Sequence, residues 1–264
     1  MNPSSTPGLI MSERRGSIAV VTLSHPGKRN ALTVAMWREL ARLFAGFSLD
    51  AGLRAVVLRG ADGHFAAGAD ITEFPRERAD ANSTYHFHQQ IIAPALDAIG
   101  GCAVPVLAAI EGACVGGGLE IACECDLRIA AASAQFGAPI RHLGFPMAPR
   151  ELRGVLAVAG RSVALELLLE GRTMNAATAA AKGLVTRVVA DADLEADVMR
   201  SATDIAAGAA LAARLNKQTL RRLAPPPRDF TETELRHFYA AWADSPEHRE
   251  GVQAFLERRP PKFV

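Results

Sequence analysis

The sequence predicts an α/β layer architecture that continues into a helical C-terminal region. Short β-rich apolar runs alternate with segments of helical periodicity up to about residue 190. From Leu194 onwards almost every segment has helical periodicity. The chain has 264 residues, of which 49% are hydrophobic and 22% are charged. This composition is typical of a globular protein that can bury a large apolar core.

The first predicted elements follow a tail. Ser, Pro and Asn dominate the extreme N-terminus, and we predict a disordered tail over residues 1–10. Residues 18–23 form a β-rich run that predicts a strand. Residues 33–47 carry apolar side chains at helical spacing, with Thr33 as the predicted N-cap. A second strand is predicted at 55–58.

The alternation continues through the middle of the chain and divides it into a core domain and a helical region. We predict helices at 84–99, 118–125, 149–158, 160–170 and 175–182, and strands at 104–110, 127–131 and 185–189. The core domain therefore covers residues 11–193 and the helical region residues 194–264, with a break at the prolines 225–227.

Composition excludes several classes of function. Lys and Arg total 29 against 28 Asp and Glu, so the net charge of +1 argues against binding to nucleic acid. No apolar run reaches the roughly 18 residues that span a bilayer, and no secretory signal begins the chain. Cys102, Cys114, Cys123 and Cys125 are too clustered for a disulfide framework, which favours a reducing, cytoplasmic location. Cys123 and Cys125 lack a second cysteine pair, so we predict buried side chains and no metal.

The three consecutive glycines Gly116, Gly117 and Gly118 are the most informative local feature. They follow a predicted strand and precede a predicted helix, where unshielded amide N–H groups and the helix dipole favour a negative charge. Such a turn can cradle a phosphate, stabilise an oxyanion or simply allow tight packing. No phosphate-loop pattern with Gly-Lys-Ser/Thr occurs.

Glu120 lies about one helical turn beyond these glycines. Its carboxylate could remove a proton next to a carbonyl group whose oxygen the glycine amides hold. It could equally be an acid in the first turn that complements the helix dipole. The spacing alone leaves both interpretations open.

Further motifs occur in a fixed order with this glycine run. They are residues 25–32 (HPGKRNAL), 65–71 (FAAGADI), 125–130 (CDLRIA), 135–137 (QFG) and 250–255 (EGVQAF). With them the chain resembles the enoyl-CoA hydratase/isomerase (crotonase) superfamily over residues 17–263. The resemblance implies a crotonase-like spiral of β-β-α units with a C-terminal helical trimerisation region. The implied assembly is a homotrimer or a dimer of trimers, with Phe238, Trp242 and Phe255 as apolar anchors.

The resemblance also implies a substrate and its binding residues. The substrate is an acyl-CoA thioester, so coenzyme A arrives with it and no separate cofactor is needed. Its carbonyl oxygen would accept hydrogen bonds from the amides of Ala69 and Gly117. Other implied substrate contacts are Lys28, Arg29, Ala67, Gly68, Asp70, Ile71, Gly116, Ile140 and His142. Lys28 and Arg29 would lie near the nucleotide phosphates, although an exposed turn with ordinary charges explains them as well.

The catalytic carboxylates depart from the family pattern at one position. Glu120 matches the first glutamate of the hydratases, but Ile140 occupies the position of the second, and an isoleucine carries no proton. Three compensations are possible. Glu124 could act, or simply pair with Arg128 or be a solvated acid. His142 could act from the acyl pocket or be an ordinary loop histidine. His86 and His88 could border that pocket, although a surface helix explains them as well. The stretch 143–150 also departs from the family pattern, which suggests an altered pocket.

These observations favour a lyase or isomerase that uses Glu120 alone as acid and base. The first alternative is a CoA-ester-binding or scaffold protein without turnover. The second is a nucleic-acid-binding relative, which would require a basic helical face that the sequence lacks. We expect neither a nucleic acid nor a membrane as a partner.

Overall fold

The computed structural model describes residues 7–224 and 229–263, and strands alternate with helices through most of the first range. Two sheets form. The strands are β1 (Leu9–Arg15), β2 (Ile18–Ser24), β3 (Ala55–Gly60), β4 (Val106–Ile110), β5 (Ala113–Val115), β6 (Leu127–Ala131), β7 (Gln135–Gly137), β8 (Thr173–Asn175) and β9 (Arg187–Val189).

Helices cover the larger sheet and form the C-terminal region. They are α1 (Val34–Leu49), α2 (Phe74–Glu77), α3 (Ala81–His86), α4 (Ala93–Gly101), α5 (Gly117–Glu124), α6 (Pro149–Leu165), α7 (Ala176–Ala181), α8 (Leu194–Ala207), α9 (Ala210–Leu223), α10 (Glu232–Ala240) and α11 (Pro246–Leu256). A π-helical turn joins α3 to α4, and a 3₁₀ turn, Pro139–Leu143, follows β7.

The larger sheet has the strand order β1-β2-β3-β4-β6-β9 and is parallel except for the β1–β2 pair. Parallel strands are normally covered on both faces, and β2 and β4 are buried along their whole length. α1 and α4 pack on one face through side chains that include Trp37, Phe44 and Leu96. α8 covers the other face with Leu194, Val198 and Ala202. The predicted domain boundary at 193/194 therefore falls just before α8, and α8 is itself a layer of the core.

The smaller sheet, β5-β7-β8, positions two loops of the site. β5 leads directly into the glycine run, and β7 leads into the 3₁₀ turn that contains Ile140. Isolated bridges join Leu32 to Ala69 and Ala66 to Cys114, so the loop around residues 66–69 is tied to both neighbours. The edge of this small sheet therefore fixes the backbone on which the glycine motifs lie.

The α/β class with helices at the C-terminus is confirmed, and several predicted elements occur nearly as expected. Thr33 caps α1 by accepting a hydrogen bond from the Met36 amide, at 3.3 Å. The predicted tail extends too far, because residues 9 and 10 already pair with β2 in the β1 strand. The single helix predicted at 84–99 is interrupted by the π turn at Phe87–Ile92. The short strands β5, β7 and β8 were not predicted, since three residues carry too little periodicity.

The C-terminal helices pack against their own chain. Trp242 is buried and stacks on Phe145 with ring centroids 5.6 Å apart, so it anchors the helices internally. Phe255 remains half exposed. The prolines 225–227 and residues 1–6 of the predicted tail lie outside the described residues. In the part of the chain that the structure describes, no helix is long and apolar enough to cross a bilayer.

Candidate active site

The glycine run and the 66–69 loop meet through paired backbone hydrogen bonds. The Ala66 amide donates to the carbonyl oxygen of Ala113 at 2.9 Å, and the Val115 amide donates to that of Ala66 at 2.9 Å. The Leu32 amide donates to the carbonyl oxygen of Gly68 at 2.7 Å. These bonds leave the 66–69 loop between the chain ahead of α1 and the chain ahead of α5.

Glycine is required at several positions of this junction. Gly68 and Gly116 have φ angles of 100° and 51°, in the region that side chains other than glycine rarely adopt. A Cβ atom on Gly118 would overlap the carbonyl oxygen of Ala66. A Cβ atom on Gly68 would lie 3.7 Å from the Gly117 nitrogen, so the two loops are in direct contact.

This contact brings two amide groups to one cavity. The Glu120 amide donates to the Gly116 carbonyl oxygen at 2.9 Å, which makes Gly117 the first residue of α5 and leaves its own N–H outside the helix ladder. Among residues 7–224 and 229–263, the amides of Ala69 and Gly117 donate to no backbone carbonyl. Both residues line the cavity. Two available donors therefore lie on one wall.

The cavity has a volume of about 450 Å³ and is largely apolar. The sequence-predicted residues that line it are Lys28, Ala67, Gly68, Ala69, Asp70, Ile71, Gly116, Gly117, Glu120, Ile140 and His142. Trp37, Phe74, Ile92, Phe145 and Met147 supply much of the remaining surface. Arg29 is exposed and lies outside this lining.

Glu120 reaches the cavity from the first turn of α5 and is only 6% exposed. Burial raises the pKa of Glu120 well above its ordinary range, and the negative charge of Glu151 raises it further. The charges of Arg78 and Arg150 oppose this rise without cancelling it. Glu120 therefore holds a proton more readily than an exposed glutamate and is placed to exchange one with a bound molecule.

A second carboxylate, Glu151, lines the same cavity and was not predicted from the sequence. It lies in the first turn of α6 and is 5% exposed. Burial would raise the pKa of Glu151, but contact with His88 and the charge of Arg78 lower it below its ordinary value. The available signal was the altered stretch 143–150, which ends one residue before Glu151.

His88 supports Glu151 from the π turn. Its Nδ1 makes a short hydrogen bond to Oε1 of Glu151, and its ring stacks on Tyr239 with centroids 5.3 Å apart. Burial lowers the pKa of His88, so the ring is neutral and its Nδ1–H donates to the carboxylate. His86 is exposed, so only one of the two candidate histidines approaches the acid cluster.

Arg78 is a buried cation beside both carboxyls, and no motif of the sequence indicated it. Its guanidinium lies over the rings of Phe74 and Phe145, 3.8 Å and 4.3 Å from their centroids. Burial lowers the pKa of Arg78 to about 10, so it stays charged at neutral pH. Its Nε and Nη1 have no hydrogen-bond partner among the described residues.

Glu124 and His142, the two other candidates for the second proton carrier, have different surroundings. Glu124 accepts a hydrogen bond from Nη1 of Arg150 at 2.8 Å and does not line the cavity. The expected Glu124–Arg128 pair is wrong, because Arg128 donates to the carbonyl oxygens of Ala122, Cys125 and Leu184. His142 does line the cavity but is exposed.

The remaining predicted residues have simple surroundings. Lys28 Nζ donates to Oδ2 of Asp70 at 2.7 Å and to the Thr72 hydroxyl at 3.3 Å. Ile140 is 9% exposed and turns its apolar side chain to the cavity. Cys123 and Cys125 are buried free thiols, as predicted.

Comparison with known proteins agrees with this geometry. The family model for enoyl-CoA hydratase/isomerase matches residues 13–264. The chain belongs to the enoyl-CoA hydratase/isomerase family. The resemblance based on the motifs is therefore confirmed, and so is the crotonase-like fold.

Individual members of the family match over nearly the whole chain. A probable enoyl-CoA hydratase of Mycobacterium bovis is 34% identical over 256 residues, which are 97% of this chain and 97% of that protein. An enoyl-CoA hydratase/carnitine racemase structure from Magnetospirillum magneticum has a TM-score of 0.81 and 45% identity, over 98% of this chain and 97% of that chain. A methylmalonyl-CoA decarboxylase in complex with 2-nitronate-propionyl-CoA has a TM-score of 0.85 and 26% identity, over 97% and 98%.

Proposed function

We propose that this member of the enoyl-CoA hydratase/isomerase family transforms an acyl-CoA thioester through an enolate held by two backbone amides. Ala69 and Gly117 donate to the thioester oxygen, and Glu120 transfers a proton at the carbon next to the thioester. The observation that supports this most directly is the meeting of two uncommitted amides and a buried carboxyl at one cavity.

The chemistry needs each of these groups. Removal of a proton next to a thioester carbonyl leaves negative charge on the carbonyl oxygen, which fixed N–H donors stabilise in a low-dielectric site. The N-terminus of α5 adds a partial positive charge at the Gly117 amide. A carboxyl whose pKa is raised towards neutrality exchanges protons efficiently near neutral pH.

The substrate has a polar carrier and an apolar acyl group. The 67–71 stretch would follow the pantetheine part of CoA, and Lys28 would approach the nucleotide phosphates at the rim. The related methylmalonyl-CoA decarboxylase was solved with a CoA ester, which supports a CoA ester as the ligand. The apolar side chains of Ile71, Phe74 and Ile140 suit a hydrocarbon chain of moderate size.

The homo-oligomer, a trimer or a dimer of trimers, stays a prediction. Four leucines of α9 support it, because each is at least 49% exposed and an unpaired apolar face of that kind favours association. They are Leu211, Leu215, Leu220 and Leu223.

Glu120→Gln tests the proposed function directly. The variant keeps the side-chain volume but cannot carry the proton, so turnover of acyl-CoA esters should fall by about 10²-fold or more. Binding of a CoA ester, measured by calorimetry, should change little because the amides of Ala69 and Gly117 are untouched. Unchanged turnover in this variant would remove Glu120 from the mechanism, and a wild-type protein that binds no CoA ester would refute the proposal.

A further inference from the structure

Two carboxyl groups from the first turns of adjacent helices face one cavity, although the family position for a second glutamate holds Ile140. Glu120 lies in the first turn of α5, Glu151 lies in the first turn of α6, and the two helices pack against each other. Each side chain is more than nine-tenths buried. Burial of two neighbouring acids is costly unless their charges are managed, and it therefore points to function.

The surroundings of the two carboxyls are opposite in kind. Glu151 accepts the hydrogen bond from His88 and lies near the guanidinium of Arg78. The Glu120 carboxyl has no hydrogen-bond partner among the described residues, and Glu124 adds a distant negative charge while Arg78 and Arg150 oppose it. The surroundings thus favour the ionised form of Glu151 and the protonated form of Glu120. Environments that shift the pKa values of two neighbouring carboxyls in opposite directions are characteristic of acid–base pairs.

The neutral form of His88 explains how the opposite protonation preferences of Glu120 and Glu151 are maintained. Its Nε2 has no partner among the described residues, and an unprotonated nitrogen tolerates that burial better than an orphaned N–H. The proton therefore lies on Nδ1 and points at Glu151. Arg78 balances the charge of Glu151, so the buried cluster carries no net charge while Glu120 is protonated.

We propose that Glu151, oriented by His88, is the second proton-carrying catalytic residue, and that the protein adds water across, or removes it from, the C2–C3 bond of an acyl-CoA. This inference rests on the proposed function, because it requires a thioester held by Ala69 and Gly117. It reverses the expectation that Glu120 works alone. His88 acts as a positioning residue.

The hydration step balances with solvent water as the only co-reactant. Glu151 accepts a proton from the water while the water oxygen forms a bond to C3. The π electrons of the C2–C3 double bond move into the enolate, whose oxygen the two amides hold. Glu120 then gives its proton to C2. The excess proton on Glu151 and the missing proton on Glu120 are restored by exchange through solvent, and dehydration is the reverse sequence.

Two reactions of the same protein separate the roles of the two acids. Hydration of 2-enoyl-CoA esters requires both carboxyls, whereas one carboxyl can shuttle a proton during isomerisation of the matching 3-enoyl-CoA esters. Glu151→Gln should lower kcat for hydration by about 10²-fold or more, while KM and the isomerisation rate change less than about tenfold. Glu151→Asp, which retracts the carboxylate, should give a smaller loss in hydration alone.

Glu124→Gln is the matched control, because Glu124 lies on α5 near the same cluster but is paired with Arg150 outside the cavity. Both reactions should persist in it. Hydration undiminished in Glu151→Gln would overturn the inference, and so would equal loss of both reactions or a wild-type enzyme that only isomerises. Each of these results leaves the proposed function standing, since Glu120→Gln and CoA-ester binding test that separately.

The pH profile tests the positioning role of His88. Glu151 must be ionised to accept a proton, so hydration should rise with pH through its pKa. His88→Phe removes the hydrogen bond, raises that pKa and should move the acidic limb of kcat to higher pH by about one unit or more. Arg78 and Glu120 also face Glu151 and remain unchanged in this variant. His88→Gln restores a donor and should shift the limb back. An unmoved limb in His88→Phe would contradict the assignment.

Discussion

The two walls of the cavity are built in different ways. The oxyanion wall, which we name after its proposed role, consists of residues 66–69 and 116–118. It presents backbone amides, and its shape depends on glycines that lie within two short motifs. The acid wall, which consists of Arg78, Ile140 and Glu151 with His88 behind Glu151, presents side chains from four separate segments. The groups of the first wall belong to motifs that are visible in the sequence, whereas those of the second wall come together only through the packing of side chains. Changes to the two walls should therefore have different consequences.

Gly118→Ala should have the largest effect, because it attacks the oxyanion wall where the backbones touch. The new methyl group would overlap the Ala66 carbonyl oxygen, and overpacking of this kind costs about 1–3 kcal/mol. The Gly117 amide must then move, and loss of one oxyanion donor typically lowers turnover by about 10²–10³-fold. Turnover of a CoA ester and thermal unfolding would measure the two effects.

Gly46→Ala is the matched control, since Gly46 lies within α1 and a Cβ atom there meets nothing within 4 Å. It should keep full turnover and gain up to about 1 kcal/mol of stability from the better helix former. If Gly118→Ala kept wild-type turnover, the close contact of the two loops would not determine the position of the donor.

The same difference explains how much could be predicted. Gly116–Gly118 and Glu120 follow from local rules, because positive φ angles and helix starts leave a signature within a few residues. Glu151 and Ile140 are 11 positions apart and share the cavity only because α6 folds back over α5. Arg78 and His88 look like ordinary polar residues in the sequence, and only the aromatic packing around them shows that they are buried.

Acid should destabilise the packing of α11 beside the acid wall, and His248 is the titrating group we expect to cause it. His248 on α11 donates from Nδ1 to the Leu143 carbonyl oxygen at 3.2 Å and packs against Phe145 and Trp242. Burial lowers the pKa of His248 to about 4, helped by the positive charge of Arg78. The folded state therefore binds a proton less readily than the unfolded state, in which the pKa is about 6.5.

Neutral His248 consequently stabilises the fold most at the higher pH values. Its contribution is complete above about pH 6.5 and is lost as the pH falls towards 4, by up to about 3 kcal/mol. His248→Asn keeps a donor for Leu143 but does not titrate, so its denaturant midpoint should vary less over that pH range than the wild-type midpoint. Parallel curves for the two proteins would show that His248 is not the acid-sensitive group.

Lys28→Ala should have the smallest effect. It tests the rim of the cavity, where the oxyanion wall meets solvent. The Lys28 side chain is 34% exposed and already shares its charge with Asp70, and partly solvated ion pairs contribute about 1 kcal/mol or less. If Lys28 also attracts the CoA phosphates, the variant should raise KM by about threefold to fivefold and leave kcat unchanged, the pattern of lost uniform binding. High salt should reduce the difference between the two proteins.

The matched control is Lys182→Ala, in which an equally exposed lysine loses its ion pair with Glu166 away from the cavity, and it should change neither constant. A fall in kcat at constant KM for Lys28→Ala would mean instead that the Lys28–Asp70 pair holds the 66–69 loop in its catalytic shape, which would extend the oxyanion wall from the backbone to side chains.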